Sequence, residues 1–143
     1  MSLFSIVAPL YNEEGNVAEL LRRIAGIMDS LTASGDDDYE IVVVNDGSSD
    51  GTLRELKAQC ATRPQLVVVD LSRNFGHQIA ATAGLDAAAG DAVILMDGDL
   101  QDPPELIARF IEKWRDGYDR RVRDAPRAQG RERFQTRVAY TTS

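Results

Sequence analysis

Apolar and polar positions alternate in blocks along this chain. Four short apolar runs, Leu3 to Ala8, Tyr39 to Val44, Leu66 to Leu71 and Ala92 to Met96, each stop abruptly in polar, turn-forming residues. Runs of this length, rich in β-branched residues, read as strands buried on both faces. Between them the period changes. Val17, Leu20, Leu21, Ile24, Ile27, Met28 and Leu31 share one face of a helix. Asn16, with Glu19 three residues on, predicts a capping box at its start. Ser49 or Asp50 is expected to cap a second helix through Cys60, and an alanine-rich third helix reaches Ala89. A fourth runs from Pro103 to about Asp116, with Asp102 as N-cap and Glu105 in its first turn. Pro9 cannot donate to a ladder and is expected to stop the first strand.

Strand and helix repeated four times predict an α/β three-layer sandwich with a mostly parallel sheet and right-handed crossovers. Ligands of such sheets sit beyond the carboxyl ends of the strands. The unusual polar residues fall there: Tyr11 and Glu13 after the first strand, Asp46 after the second, Arg73 and Asn74 after the third, and Asp97, Asp99 and Gln101 after the fourth. If Asp97 and Asp99 continue the extended path, their carboxylates leave on one side. Gly98 between them would let a ligand approach the backbone. Two convergent oxygens suit a hard divalent cation that keeps positions for a substrate phosphate. Plainer roles exist for each residue. The acidic loop can be a solvated turn, Asp46 and Asp50 can cap a helix, Arg73 can pair with a surface acid, and Pro9 can simply end a strand.

Composition narrows the choice. The 143 residues fit one domain, with 43% apolar and 27% charged residues. The net charge of −7 conceals an asymmetry. Residues 1–119 hold 9 basic and 21 acidic side chains, whereas residues 120–143 hold 7 arginines against Asp124 and Glu132. An acidic body argues against nucleic acid as a partner. The arginine-rich stretch can meet phosphates, a membrane surface or the acidic body, or stay solvated. The lone Cys60 reads as a buried small hydrophobe and fits a reducing cytoplasm. No apolar run reaches membrane-spanning length and no leader pattern opens the chain, so a cytoplasmic, non-spanning chain is expected. There is no G-x-G-x-x-G after the first strand, no G-x-x-x-x-G-K-[ST] and no G-x-S-x-G. His77 is the single histidine, which weakens a histidine base or a zinc site, and it reads as a surface or helix-start residue.

Four motifs then carry a resemblance. Val7-Ala8-Pro9-Leu10-Tyr11-Asn12-Glu13, Val43 to Thr52, Ser72-Arg73-Asn74-Phe75-Gly76-His77-Gln78 and Met96 to Glu105 resemble, in order, family 2 glycosyltransferases of the GT-A, Rossmann-like fold. The likeness spans residues 4–119 and is closest to the polyprenyl-phosphate branch, which includes dolichol-phosphate mannose synthase and undecaprenyl-phosphate sugar transferases. It implies transfer of a sugar from a UDP- or GDP-linked donor to a polyprenyl phosphate at the cytoplasmic face of a membrane. It also implies Mg²⁺ or Mn²⁺. By position, Pro9, Tyr11 and Glu13 would line the nucleotide pocket, and Asp46 would accept a hydrogen bond from the base. Asp97 and Gly98 would meet the ribose and sugar. Asp97, Asp99 and Gln101 would hold the cation, Asp97-Gly98-Asp99 standing as the family's DXD motif.

After Asp119 the pattern departs. Family members continue into a substrate-closing segment and membrane-surface helices with a proposed catalytic carboxylate. Here Asp119 to Ala125 resembles the stretch beyond that element. The expectation is an internal deletion, with residues 1–119 a donor-binding core and residues 120–143 a remnant of the acceptor side. No catalytic base is then assigned. Oligomeric state stays open. The alternatives are a module that binds nucleotide sugar and metal without transfer, and a nucleotidyltransferase. The latter usually needs a basic phosphate loop where Leu10-Tyr11-Asn12-Glu13-Glu14 is acidic.

Overall fold

A computed structural model describes residues 2–98, 106–118 and 138–141. The apolar runs form β1 (Leu3–Leu10), β2 (Asp38–Asn45), β3 (Leu66–Asp70) and β4 (Ala92–Leu95), and a further strand, β5 (Val138–Thr141), joins them. Every pairing is parallel, in the order β3-β2-β1-β4-β5. The chain builds outward from β1 through β2 to β3, then crosses back to lay β4 on the other side of β1. That reversal opens a crevice at the carboxyl ends of β1 and β4, where such sheets bind ligands.

Helices α1 (Val17–Leu31), α2 (Thr52–Cys60), α3 (His77–Ala87) and α4 (Leu106–Lys113) connect the strands, and a π-helical turn, Trp114–Tyr118, extends α4. The alternation of β1 explains the layers. Phe4, Ile6 and Leu10 face one side, where they pack with Leu20, Leu21 and Ile24 of α1, Leu56 of α2, and Ile107 and Ile111 of α4. Val7 faces the other side with Val42 and Val93, beneath Ala88 and Leu85. On this side α3 lies very close to the sheet. A Cβ at Gly84 would stand 2.4 Å from Val7 Cγ1 and 2.9 Å from Val44 Cγ2. The alanine-rich composition of α3 therefore permits a tight helix–sheet contact.

Several expectations need correction, among them a buried Cys60, which ends α2 exposed to solvent. Pro9 lies inside β1 rather than ending it, opposite Val44. The carbonyls of Leu3 and Val7 accept from Asp91 and Met96 on the β4 side, so the odd positions of β1 face β4. Pairing with β4 ends at Val7, so the donor that Pro9 lacks has no ladder to join. The capping box does not form. A 3₁₀ turn, Glu14–Asn16, precedes α1, and Asn16 has helical backbone angles. Its amide donates to Glu13 Oε2 at 2.7 Å instead, while Glu19 pairs with Arg22. For α2 the Asp50 expectation holds in its chemistry: Gly51 is the N-cap residue, and Asp50 Oδ1 accepts the Thr52 N–H at 3.0 Å. The third helix ends at Ala87, two residues short of Ala89. The proposed cap of the fourth, Asp102, Pro103 and Glu105, lies outside the described residues. β5 was not expected, because Val138-Ala139-Tyr140-Thr141 is short and follows a run of arginines.

The close approach of α3 gives a test. Gly84→Ala is expected to destabilise the chain by about 1–3 kcal/mol, the range for overpacking. That exceeds the gain of up to about 1 kcal/mol in helix propensity. Gly26→Ala, in α1 with nothing within 4 Å of its Cβ position, supplies the control. Urea unfolding midpoints should move in opposite directions, down for Gly84→Ala and up for Gly26→Ala.

Candidate functional site

The loops after β1 and β2 are fastened together before they meet any ligand. Asn12 adopts a left-handed conformation (φ 53°) that asparagine tolerates better than most residues. Its N–H donates to Ser48 Oγ at 3.0 Å, and its Oδ1 accepts the Ser49 N–H at 2.8 Å. The next residues continue the clasp. Glu13 N–H donates to Thr52 Oγ1 at 2.9 Å, and Gly51 N–H donates to Glu14 Oε2 at 3.1 Å. The Thr52 hydroxyl also donates to Asp50, and this bond, reinforced by backbone donors, holds the Asp50 carboxyl below the usual carboxylate range.

Asp46, at the end of β2, is only 3% exposed. Its carboxylate collects the loop between β3 and α3. Phe75 N–H donates to Oδ1 at 2.8 Å; Gly76 N–H and Asn74 Nδ2 each donate to Oδ2 at 3.2 Å. Gly47 makes the fit possible. Its φ is 63°, and a Cβ there would lie 2.1 Å from the carbonyl carbon of Arg73. Arg73 itself stacks over the Phe75 ring, 4.1 Å from its centroid.

Between these loops lies a cleft of about 320 Å³, lined by Pro9, Leu10, Tyr11, Asp46, Asn74, Gly76 and His77. Its volume falls within the range of small-molecule sites. Tyr11 is 49% exposed, an aromatic face open to solvent at the mouth. β4 ends beside this wall. His77 Nε2 lies 3.2 Å from Asp97 Oδ1, which joins the start of α3 to the segment after β4.

The structure thus brings together Pro9, Tyr11 and Asp46 in one cleft, with Asp97 attached through His77. Glu13 is not among the lining residues; its carboxylate is engaged by Asn16. Gly98 packs differently from the sequence expectation. The space its Cβ would fill is taken by Leu10 Cδ2 and, at 2.9 Å, Pro9 O, so close packing of the chain itself demands glycine there. β4 ends at Leu95 and Gly98 lies in a turn. Asp99 and Gln101 lie outside the described residues. Among the described residues no group of three or more His, Cys, Asp or Glu side chains gathers as a metal cluster. Asp97 nevertheless offers the hard carboxylate oxygen that Mg²⁺ and Mn²⁺ prefer, beside His77 at the edge of the cleft. His77 opens α3 and is exposed, as expected, and with Gly76 it also lines the cleft, which was not foreseen. Their signal was the position of Asn74-Phe75-Gly76-His77 in the loop after the third apolar run.

Three comparisons bear on this geometry. A family model described as glycosyl transferase family 2 matches residues 5–141. Among curated proteins the chain is 47% identical over 116 residues to the uncharacterized glycosyltransferase YkcC of Bacillus subtilis (strain 168), covering 81% of this chain and 35% of that one. It is 41% identical over 120 residues to an undecaprenyl-phosphate 4-deoxy-4-formamido-L-arabinose transferase of Aeromonas hydrophila, covering 83% and 36%. The chain spans about a third of the length of these relatives. Among solved structures it is similar to the mannosyltransferase PcManGT of Pyrobaculum calidifontis in complex with GDP-Man and Mn²⁺, with TM-score 0.67, 26% identity, and coverage of 82% and 33%. TarS 1-349 of S. aureus in complex with UDP-GlcNAc aligns with TM-score 0.57, 28% identity, and coverage of 78% and 32%. The parallel-sheet α/β architecture is common to them.

The Asp46 contacts generate a prediction. Hydrogen bonds to a charged acceptor contribute about 1.5–3 kcal/mol each. Asp46→Ala should therefore cost at least about 2 kcal/mol. Hydrogen exchange at Phe75 and Gly76 should accelerate more than at Asp91 or Met96, whose amides bond to β1. Uniform acceleration would mean that Asp46 supports the whole domain and not this loop.

Proposed function

Because the chain belongs to glycosyl transferase family 2, we propose that its carboxyl-terminal rim binds the nucleoside diphosphate of a UDP- or GDP-linked sugar together with Mg²⁺ or Mn²⁺. The sugar would pass to a polyprenyl phosphate at the cytoplasmic face of a membrane. The observation that supports this reading most is the cleft at the β1–β4 reversal, with Tyr11 and Asp46 on its wall and Asp97 at its edge. The GDP-Man and Mn²⁺ bound by one structural neighbour, the UDP-GlcNAc bound by another, and the undecaprenyl-phosphate substrate in a relative's name point the same way. No helix among the described residues is long and apolar enough to cross a membrane.

In this reading Pro9 and the Tyr11 ring offer an apolar wall and a face for the base. Asp46 keeps the Asn74–Gly76 loop in place, and its remaining acceptor capacity is available to a base N–H. Asp97, Asp99 and Gln101 would hold the cation. When bound, the cation offsets the charge that builds on the departing nucleoside diphosphate. A phosphate acceptor is already an anionic nucleophile, so little base assistance is needed. Residues 1–119 serve as the donor-binding core in this proposal, and residues 120–143, with their arginines, as the remnant of the acceptor side.

Calorimetry with UDP, GDP and their sugars tests the proposal. Binding is expected to require Mn²⁺ and to weaken about tenfold to 100-fold in Asp97→Ala and Asp99→Ala, as loss of a charged contact implies. Binding without turnover on a polyprenyl phosphate would reduce the function to donor capture. Absence of metal-dependent binding to any nucleoside diphosphate would overturn it.

A further inference from the structure

We propose that His77 is a positioning residue for Asp97, acting as the outer partner that holds one carboxylate oxygen so that the other is presented to a divalent cation. The role rests on the reading of the rim as a cation and diphosphate site, and it assigns a task to the chain's single histidine.

The contact itself defines the chemistry. His77 Nε2 stands 3.2 Å from Asp97 Oδ1. An ionised carboxylate only accepts hydrogen bonds, so Nε2 must carry the hydrogen and donate it. Oδ1 is then committed to the imidazole, and Oδ2 remains as the metal-facing oxygen. Carboxylates that ligate a metal are themselves held by hydrogen bonds, and such an outer donor fixes the orientation of a ligand that would otherwise rotate.

The backbone that carries the imidazole is itself well anchored. His77 is the first residue of α3 and follows Gly76, whose N–H is held by Asp46 at 3.2 Å. A continuous path therefore runs from Asp46 at the end of β2, through Gly76 and His77, to Asp97 after β4. It passes over β1, which lies between those two strands in the sheet. One end of this path carries the proposed base contact and the other the proposed cation ligand. Stability does not explain the bond. The His77 side chain is 62% exposed and that of Asp97 34%, so the contact is screened by water and adds little to folding. The same exposure makes substitution at His77 structurally mild.

Mn²⁺ binding measured by electron paramagnetic resonance, at saturating UDP, tests the inference. His77→Ala and His77→Asn are expected to weaken Mn²⁺ binding about tenfold to 100-fold, as loss of an outer partner does elsewhere. His77→Gln extends an amide N–H to roughly where Nε2 stands, and should stay within about threefold of the parent, a difference of under 1 kcal/mol. Melting temperatures should hardly move. In an Asp97→Ala background, His77→Ala should have no further effect. Unchanged Mn²⁺ binding in His77→Ala, equal weakening in all three variants, or full additivity with Asp97→Ala would each overturn the role of His77 while leaving the cation site intact. A parent chain that takes up no Mn²⁺ with UDP would remove the underlying reading as well.

Discussion

A carboxylate buried as deeply as that of Asp46 is costly unless hydrogen bonds replace its hydration. Asp46 gains them by drawing in the loop between β3 and α3. Two backbone N–H groups and the Asn74 amide converge on its oxygens. The loop approaches close enough because residue 47 has no side chain to obstruct it. One buried charge thereby fixes the outer wall of the cleft, the starting point of α3, and the position of His77. Everything proposed for the rim depends on that wall staying where Asp46 places it.

The remaining walls are held by different means. Asn12, Glu13 and Glu14 interlock with Ser48 to Thr52, so the first two loops behave as one unit. The segment after β4 is pressed against β1 through Gly98, Pro9 and Leu10. Each wall thus belongs to a different crossover, and the sheet order brings them to a single crevice. Catalytic families built on such sheets vary their loops on a rigid base. Here the base is the pair of apolar layers on either face of β1.

Much of this was legible in the sequence, for physical reasons. Buried parallel strands need continuous apolar runs, and all four runs became strands, β1, β2 and β4 largely buried but β3 a half-exposed edge. Tyr11 and Asp46 could be located because polar residues directly after such runs must emerge at one end of the sheet. Other features depended on tertiary contacts that local patterns do not encode. Asn16 had the right neighbours for a capping box, yet its backbone is already helical and its side chain turns back to donate to Glu13. Pro9 looked like a strand breaker, and only the ladder's early end beside β4 shows why it is tolerated. Gly98 looked like room for a ligand, and that room is filled by Leu10. The pairing of His77 with Asp97 spans twenty residues and has no sequence signature.

Paramagnetic broadening of amide resonances by Mn²⁺, titrated in the presence of UDP, tests the location of the site most directly. The account predicts that His77, Asp97 and Gly98 broaden first, followed by Leu10 and Tyr11, while Glu40, Ala89 and Gly90 at the opposite end of the sheet stay sharp. Broadening centred on those opposite-end residues, or on the acidic run Asp36-Asp37-Asp38, would contradict it.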